Sequence, residues 1–206
     1  MPFNWKSVIR KTEISFNPLR PEFASSFSSP HPKSVLFVGG SQGSAAINAA
    51  FTAALPTILE NGYTVTLLSG RRFFEQMSLY AGLHVSVFPY SDKIWEMLSG
   101  HAIIVSRCGA LSISEIIRSG RVSVLIPYRN SAGNHQAHNA EALAESGAAV
   151  VLREESLPNL DWHSFFNSLE SSYNKMLTQV SSLREDSLNR DFFHLFSRIT
   201  DESFHA

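Results

Sequence analysis

The sequence has little of several features that would assign it to a specialised class of protein. Only one of its 206 residues is a cysteine, Cys108, which excludes an intrachain disulfide and indicates a reducing compartment. Its 17 Lys and Arg nearly balance its 18 Asp and Glu, so no overall basic field would attract nucleic acid. No apolar run reaches the roughly 18 residues of a membrane span, and the first residues lack the apolar core of a signal peptide. We therefore expect a cytoplasmic protein that does not bind nucleic acid.

What is present indicates one globular domain with flanking segments. The chain is 44% hydrophobic and 17% charged, which is typical of soluble domains. Residues 1–32 are predicted to form a connector with a short strand at Thr12–Phe16. In residues 33–155, short apolar runs alternate with amphipathic segments, which predicts parallel βαβ units. Residues 156–206 are predicted to be a helical extension packed on that domain.

The predicted fold class is α/β, a Rossmann-like parallel sheet with helices on both faces. Strands are predicted at 34–38, 64–68, 84–88, 102–106, 122–126 and 149–152. Helices are predicted at 44–59, 72–80, 92–98, 112–118 and 134–145. Pro56 is expected to bend or shorten the first helix. The apolar anchors expected in the helical extension are Trp162, Phe165, Phe166, Phe192, Phe193 and Phe196.

Three polar loops, at 39–44, 106–115 and 127–140, each follow a predicted strand. Ligands of open parallel sheets bind beyond the carboxyl ends of the strands, so we expect these loops to form one site. The first loop, GGSQGS, precedes a helix and suits a phosphate, because its backbone N–H groups and the helix dipole both attract an anion. A bare tight turn whose serine caps the helix is the simpler alternative.

The first loop also fits the G-x-S-x-G pattern of a hydrolase nucleophile elbow, with Ser41 as the nucleophile. The other members of a triad would come from Asp92 or Asp161 and from His138 or His163. No local pattern singles out any of these pairs, so the serine hydrolase remains an alternative hypothesis.

The second loop places Arg107 and small residues before Glu115. Backbone amides, a guanidinium and a carboxylate at one helix start suit a nucleotide, because the carboxylate can accept hydrogen bonds from the ribose hydroxyls. Residues 112–115 also fit a capping box, in which Ser112 and Glu115 would satisfy helix-end amides instead. Cys108 is interpreted as a packing residue, since no neighbouring histidine would activate it.

The third loop leads into a helix that carries two amides three residues apart, Gln136 and Asn139. Such side chains share a helix face and can both donate to and accept from sugar hydroxyls. His135 and His138 lie among them, but no third ligand at suitable spacing completes a metal site. We expect neither a metal nor another cofactor.

Four segments taken together, FNPLRPEF, VGGSQGSAAIN, SRCGALSISEI and IPYRNSAGNHQAHNAEAL, resemble the C-terminal half of the MurG glycosyltransferase family of peptidoglycan synthesis. The likeness spans about residues 12–152. It implies one half of a GT-B fold, which consists of two Rossmann-like domains around a cleft. It also implies a hexosyltransferase that moves N-acetylglucosamine from UDP-N-acetylglucosamine to lipid I, undecaprenyl-pyrophosphoryl-MurNAc-pentapeptide, to give lipid II.

The resemblance also implies a role for each matching residue. Arg20 would lie near the donor phosphates with Ser41, and a backbone group near Ser91 would contact uracil. Glu115 would hold the ribose hydroxyls, and Gln136, with Asn139 nearby, would face the sugar. Backbone contacts to the nucleotide would come from Gly109, Ala110, Leu111, Ser112, Ile113 and Ser114.

Some residues depart from the family pattern. Phe16 replaces a glycine, Ser44 an alanine and Ser112 a threonine, and the acidic residue expected just before Ile103 is absent.

No segment matches the family's N-terminal half, which carries the presumed catalytic base, the acceptor groove and the membrane-binding patch. We therefore expect no catalytic residue here and peripheral contact with the inner face of the membrane. The other half is expected either to be encoded as a separate chain or to have been lost by truncation. A non-catalytic UDP-sugar-binding module or relic is the other alternative.

Overall fold

A single parallel sheet organises the computed structural model, which describes residues 17–24 and 29–189. Its six strands lie in the order β3-β2-β1-β4-β5-β6. They are β1 (His31–Val38), β2 (Thr64–Leu68), β3 (Val85–Phe88), β4 (His101–Ser106), β5 (Val122–Leu125) and β6 (Ala149–Val151). The helices are α1 (Ala45–Glu60), α2 (Phe74–Met77), α3 (Ile94–Gly100), α4 (Ala110–Ser119), α5 (His135–Glu145) and α6 (Trp162–Asn189). Short 3-10 turns occupy Pro21–Ala24, Arg71–Phe73, Ser78–Tyr80, Ala132–Asn134 and Glu154–Asn159.

Side chains alternate between two hydrophobic cores, one on each face of the sheet. On β1, Val35 and Phe37 belong to the core covered by α1 and by the first half of α6. Leu36, between them, belongs to the opposite core, which α3, α4 and α5 cover. All three are fully buried, which explains why the strand reads as a continuous apolar run rather than an alternating one. The predicted α/β fold with helices on both faces is confirmed.

Two predicted helices differ from those observed. The helix predicted at 72–80 is one α-helical turn, α2, between two 3-10 turns. Pro56 does not shorten α1, which continues four residues further to Glu60. The chain enters α5 through Gly133 and Asn134, whose φ angles of 56° and 57° are left-handed.

The last described helix, α6, packs across both cores. Phe166 and Met176 are buried in the first core, whereas Val180 is buried in the second. The strand predicted at 12–16 and the anchors Phe192, Phe193 and Phe196 lie outside the described residues. Among the residues that the structure describes, no helix is both long and apolar enough to cross a membrane.

Candidate functional site

The loops that follow β1, β4 and β5 meet at the carboxyl edge of the sheet, because these strands are neighbours. The glycine-rich loop, residues 39–44, is fixed at both ends. Gly39 N donates to Leu68 O over 2.8 Å, and the Ser44 side chain caps α1 by accepting from Ile47 N at 3.3 Å. Gly43 has φ +88°, and a Cβ there would lie 2.5 Å from Ser69 O. Glycine at this position is therefore a steric requirement.

A second loop, which the sequence analysis did not single out, packs against the glycine-rich loop. This segment, residues 69–73, follows β2, and Arg71 N donates to Ser41 O at 3.2 Å. A Cβ on Gly70 would lie only 2.1 Å from Gly43 N, so two glycines allow the backbones to touch. The only sequence signal for this contact is Gly70, two residues after the predicted strand at 64–68.

One cavity of about 330 Å³ lies between the glycine-rich loop and α4. We call it the Glu115 cavity. It collects five of the predicted site residues, namely Arg20, Ser91, Leu111, Ser112 and Glu115, together with Gly40 and Tyr90. Ser41 lies exposed on the adjoining loop, and Gly109 directly precedes α4.

Glu115 and Arg20 set the electrostatics of this cavity. Burial raises the pKa of the Glu115 carboxyl above its usual value, and the charge of Arg20 opposes that rise. Within the described residues no group donates a hydrogen bond to this carboxylate. Two contacts position Arg20: its Nη1 donates to Asp92 O at 3.3 Å, and its guanidinium lies 5.9 Å from the centre of the Trp95 ring.

The capping box considered as an alternative at 112–115 does not form. Helix α4 begins at Ala110, its N-cap is Gly109, and no side chain caps it. Ser112 therefore lies inside the first turn, where it lines the Glu115 cavity instead of closing the helix end. Its backbone N–H and those of Ala110 and Leu111 have no intrahelical acceptor, since the first regular bond joins Ile113 N to Gly109 O.

The remaining predicted residues of α4 lie on the opposite side of the helix. Ala110, Ile113, Ser114 and Asn139 line an apolar groove between α4 and α5. The Ser114 hydroxyl accepts from Asn17 Nδ2 at 2.9 Å and donates to Ala110 O at 3.1 Å. The structure thus does not bring Ile113, Ser114 and Asn139 into the Glu115 cavity.

A second cavity of about 670 Å³, the Gln136 cavity, lies across the glycine-rich loop from the first. Gln136 Oε1 accepts from Tyr128 N at 3.0 Å and from Cys108 N at 3.3 Å. Its NH₂ group donates to no protein group in the described part of the chain, so it is available to a ligand. Asn139 Nδ2 donates to Cys108 O at 3.1 Å and holds the same loop without reaching the cavity. The lining residues include Gly39, Gly43, Ser44, Arg72, Phe73, Arg107, Tyr128, Gln136 and Glu154.

Arg107 forms one wall of the Gln136 cavity. Its Nη1 donates to Ile126 O at 3.1 Å and pairs with Glu154 Oε1, and its guanidinium lies 5.5 Å from the centre of the Tyr128 ring. The sequence analysis placed Arg107 at the site but missed Tyr128, Glu154 and Arg72. Glu154 in particular lies beyond the last strand and carries no motif.

Cys108 is a buried packing residue, in agreement with its interpretation from sequence. Burial raises the pKa of its thiol to about 12, despite the opposing charge of Arg107. The thiol is therefore protonated at neutral pH and is a poor nucleophile.

The hydrolase alternative gains no support from the geometry. Ser41 lies three residues before the cap of α1, and among the described residues other than glycine only Asn134 has the positive φ typical of strained turns. Asp161 is the cap of α6, accepting from His163 N, Ser164 N and the Ser164 hydroxyl, and these bonds lower the pKa of its carboxyl. Across residues 17–24 and 29–189, no three His, Cys, Asp or Glu side chains cluster as metal ligands.

Residues 34–192 match the family model described as the glycosyltransferase family 28 C-terminal domain. The chain belongs to this family. Curated relatives include a UDP-N-acetylglucosamine--N-acetylmuramyl-(pentapeptide) pyrophosphoryl-undecaprenol N-acetylglucosamine transferase of Solidesulfovibrio magneticus, 35% identical over 73% of this chain and 45% of its own length. An enzyme of the same name from Alkaliphilus metalliredigens is 33% identical over 71% of this chain and 44% of its own.

Solved structures agree on the fold. MurG of Acinetobacter baumannii superimposes with a TM-score of 0.64 at 24% identity, over 80% of this chain and 47% of its own. The calicheamicin glycosyltransferase CalG4 gives a TM-score of 0.63 at 18% identity, over 93% and 45% of the two chains. The family 28 chain thus has the fold of about half of a GT-B glycosyltransferase, and it spans less than half the length of these curated relatives.

Proposed function

We propose that this chain is the donor-binding half of a transferase that moves N-acetylglucosamine from UDP-N-acetylglucosamine to lipid I. The observation that carries the proposal is Glu115, a partly buried carboxylate with no protein donor, facing a cavity beside Arg20 and Ser112. Burial makes the ionised form of this carboxyl less favourable, and hydrogen-bond donors from a bound ligand would compensate that cost. The vicinal hydroxyls of a ribose are suitable donors.

The two cavities suit the two ends of a nucleotide sugar. The nucleoside would occupy the Glu115 cavity, with uracil near Ser91 and the ribose on Glu115. The diphosphate would lie along the glycine-rich loop, where Ser41, the free N–H groups of α4 and Arg20 offer donors and positive charge. The sugar would enter the Gln136 cavity and accept a hydrogen bond from the Gln136 NH₂ group.

The reaction would be attack by the acceptor C4 hydroxyl on the anomeric carbon of the donor, with UDP leaving. Backbone amides and Arg20 around the diphosphate would stabilise the negative charge that develops on the leaving group. The described residues offer no general base beside the Gln136 cavity other than Glu154, which is paired with Arg107. We propose that an N-terminal half supplies the base and the lipid I groove, and that the assembled enzyme works peripherally at the inner face of the membrane.

The ribose contact can be tested by titrating UDP and 2′-deoxy-UDP into the purified chain in a calorimeter. We expect the wild type to prefer UDP by about tenfold or more, as for a hydrogen bond to a charged group. Glu115→Ala should remove that preference. Glu60→Ala, an exposed carboxylate at the far end of α1, should retain it. Failure of the wild type to bind UDP or UDP-N-acetylglucosamine at millimolar concentration would contradict the proposal.

The division of labour between the two halves can be tested by assaying transfer. We expect the chain alone to bind UDP-N-acetylglucosamine weakly and to form no lipid II. Adding the N-terminal half of a relative should restore transfer. Binding without activity in that mixture would favour a non-catalytic module.

A further inference from the structure

The segment 69–73 packs closely against the glycine-rich loop. Gly70 contacts Gly43 at backbone distance, Arg71 N donates to Ser41 O, and a Cβ on Gly43 would lie 2.6 Å from the Phe73 ring. Arg72 lies between these contacts, which fix the backbone on both sides of it. It lines the Gln136 cavity together with Gly39, Gly43 and Ser44.

The charges around the Gln136 cavity leave Arg72 uncompensated. Arg107, the other arginine of the cavity, is neutralised by its ion pair with Glu154. Arg72 is exposed, and its guanidinium lies 5.4 Å from the centre of the neighbouring Phe73 ring. Among the described residues no carboxylate lies within ion-pair distance of it. The cavity thus has a net positive charge on the side where the glycine-rich loop turns into α1.

We propose that Arg72 binds the phosphate that carries the transferred sugar. This inference rests on the proposed function, because it needs a nucleoside diphosphate along the glycine-rich loop. Arg20 lines the cavity assigned to the nucleoside, whereas Arg72 lines the one assigned to the sugar, so the two guanidinium groups approach the diphosphate from opposite ends. A guanidinium offers two parallel N–H groups to one phosphate, and its charge opposes the charge that this phosphate gains as the sugar departs.

The test compares UDP with UMP, which lacks the phosphate in question. We expect Arg72→Gln to weaken UDP binding about tenfold and to leave UMP binding unchanged. Arg72→Lys keeps the charge but not the paired donors, so its affinity for UDP should lie between that of the wild type and that of Arg72→Gln. The matched control is Lys175→Gln, which removes a charge from an exposed position on α6. Thermal unfolding of each variant checks that the exposed substitutions leave the fold intact.

The outcomes separate this inference from the function on which it rests. If the wild type binds UDP but Arg72→Gln binds it equally well, the assignment of Arg72 is wrong and the proposed function stands. An equal loss for UDP and UMP also overturns the assignment, because Arg72 would then act on the nucleoside end or on the fold. If the wild type binds neither nucleotide, the proposed function itself fails.

Discussion

Glu115 and Gln136 differ in how much of their hydrogen-bonding capacity the protein itself uses. Glu115 receives no hydrogen bond from the described residues, so both carboxylate oxygens remain available as acceptors. The oxygen of the Gln136 amide accepts hydrogen bonds from two backbone N–H groups, so only its NH₂ group is left for a ligand. The Glu115 carboxylate is therefore available as an acceptor in one cavity, and the Gln136 NH₂ group is available as a donor in the other. From sequence, an amide that both donates to and accepts from a sugar was expected; the structure leaves Gln136 with a donor alone.

The burial of Glu115 has a consequence for stability. Because burial raises the pKa of this carboxyl above its unfolded value, the folded state disfavours its ionised form. Its unfavourable contribution is absent below the unfolded pKa and is fully present above the folded one. We expect Glu115→Gln to raise the urea midpoint at pH 7 and to have no such effect near pH 3.5. Denaturation curves at the two pH values check this, and a loss of stability at pH 7 would show that the carboxylate has a stabilising partner.

The loops, more than the helices and strands, determine the shape of the site. The glycine-rich loop and the segment 69–73 touch through Gly43 and Gly70, and neither contact can accommodate a side chain. Each loop thus forms part of the other's surface. Both cavities border this pair of loops, so a change in their spacing would affect the whole site.

The glycine pair gives a prediction with an internal control. Gly70 and Gly62 both have positive φ, +83° and +74°, but a Cβ on Gly62 meets nothing within 4 Å. Gly62→Ala should cost about 1 kcal/mol for the backbone alone. Gly70→Ala should cost about 1–3 kcal/mol more, because its ψ of 148° lies in a region that essentially only glycine adopts and because its Cβ collides with the Gly43 backbone. Urea denaturation measures both, and equal losses would contradict the close contact between the two loops as well as the backbone cost at Gly70.

The strands could be predicted from the sequence because they are buried on both faces and so appear as apolar runs. All six fall within three residues of their predicted positions. The starts of helices were harder to predict where a distant residue takes part. Asn17 bonds to Ala110 O and to Ser114, and the pattern at 112–115 contains no sign of it. The helix predicted from 72 begins as a 3-10 turn at Arg71–Phe73. In this turn Arg71 N donates to Ser41 O and the Phe73 ring packs beside Gly43, contacts with a distant loop that no local pattern predicts.

At the scale of the whole molecule, α6 joins the two cores. It crosses from the α1 side, where Phe166 is buried, to the α4 side, where Val180 is buried. Arg184 Nε donates to Arg118 O at 2.9 Å and extends the contact to the end of α4. The predicted boundary near 155 therefore separates a strand-containing segment from a helix, although the packing is continuous across it.

This continuity predicts that the sheet and α6 unfold together. Phe166→Ala removes a fully buried ring and should lower the free energy of unfolding by about 3–5 kcal/mol. Leu79→Ala, at a position 84% exposed, should change it by less than about 0.5 kcal/mol. Two probes report on the two parts: thiol labelling of buried Cys108 follows the sheet, and the fluorescence of Trp162, in a variant with the other tryptophans replaced by Phe, follows α6. In one cooperative unit the two transitions coincide in urea, in the parent protein and in Phe166→Ala alike. If α6 were an appendage, Trp162 fluorescence would change at a lower urea concentration than that at which Cys108 becomes reactive.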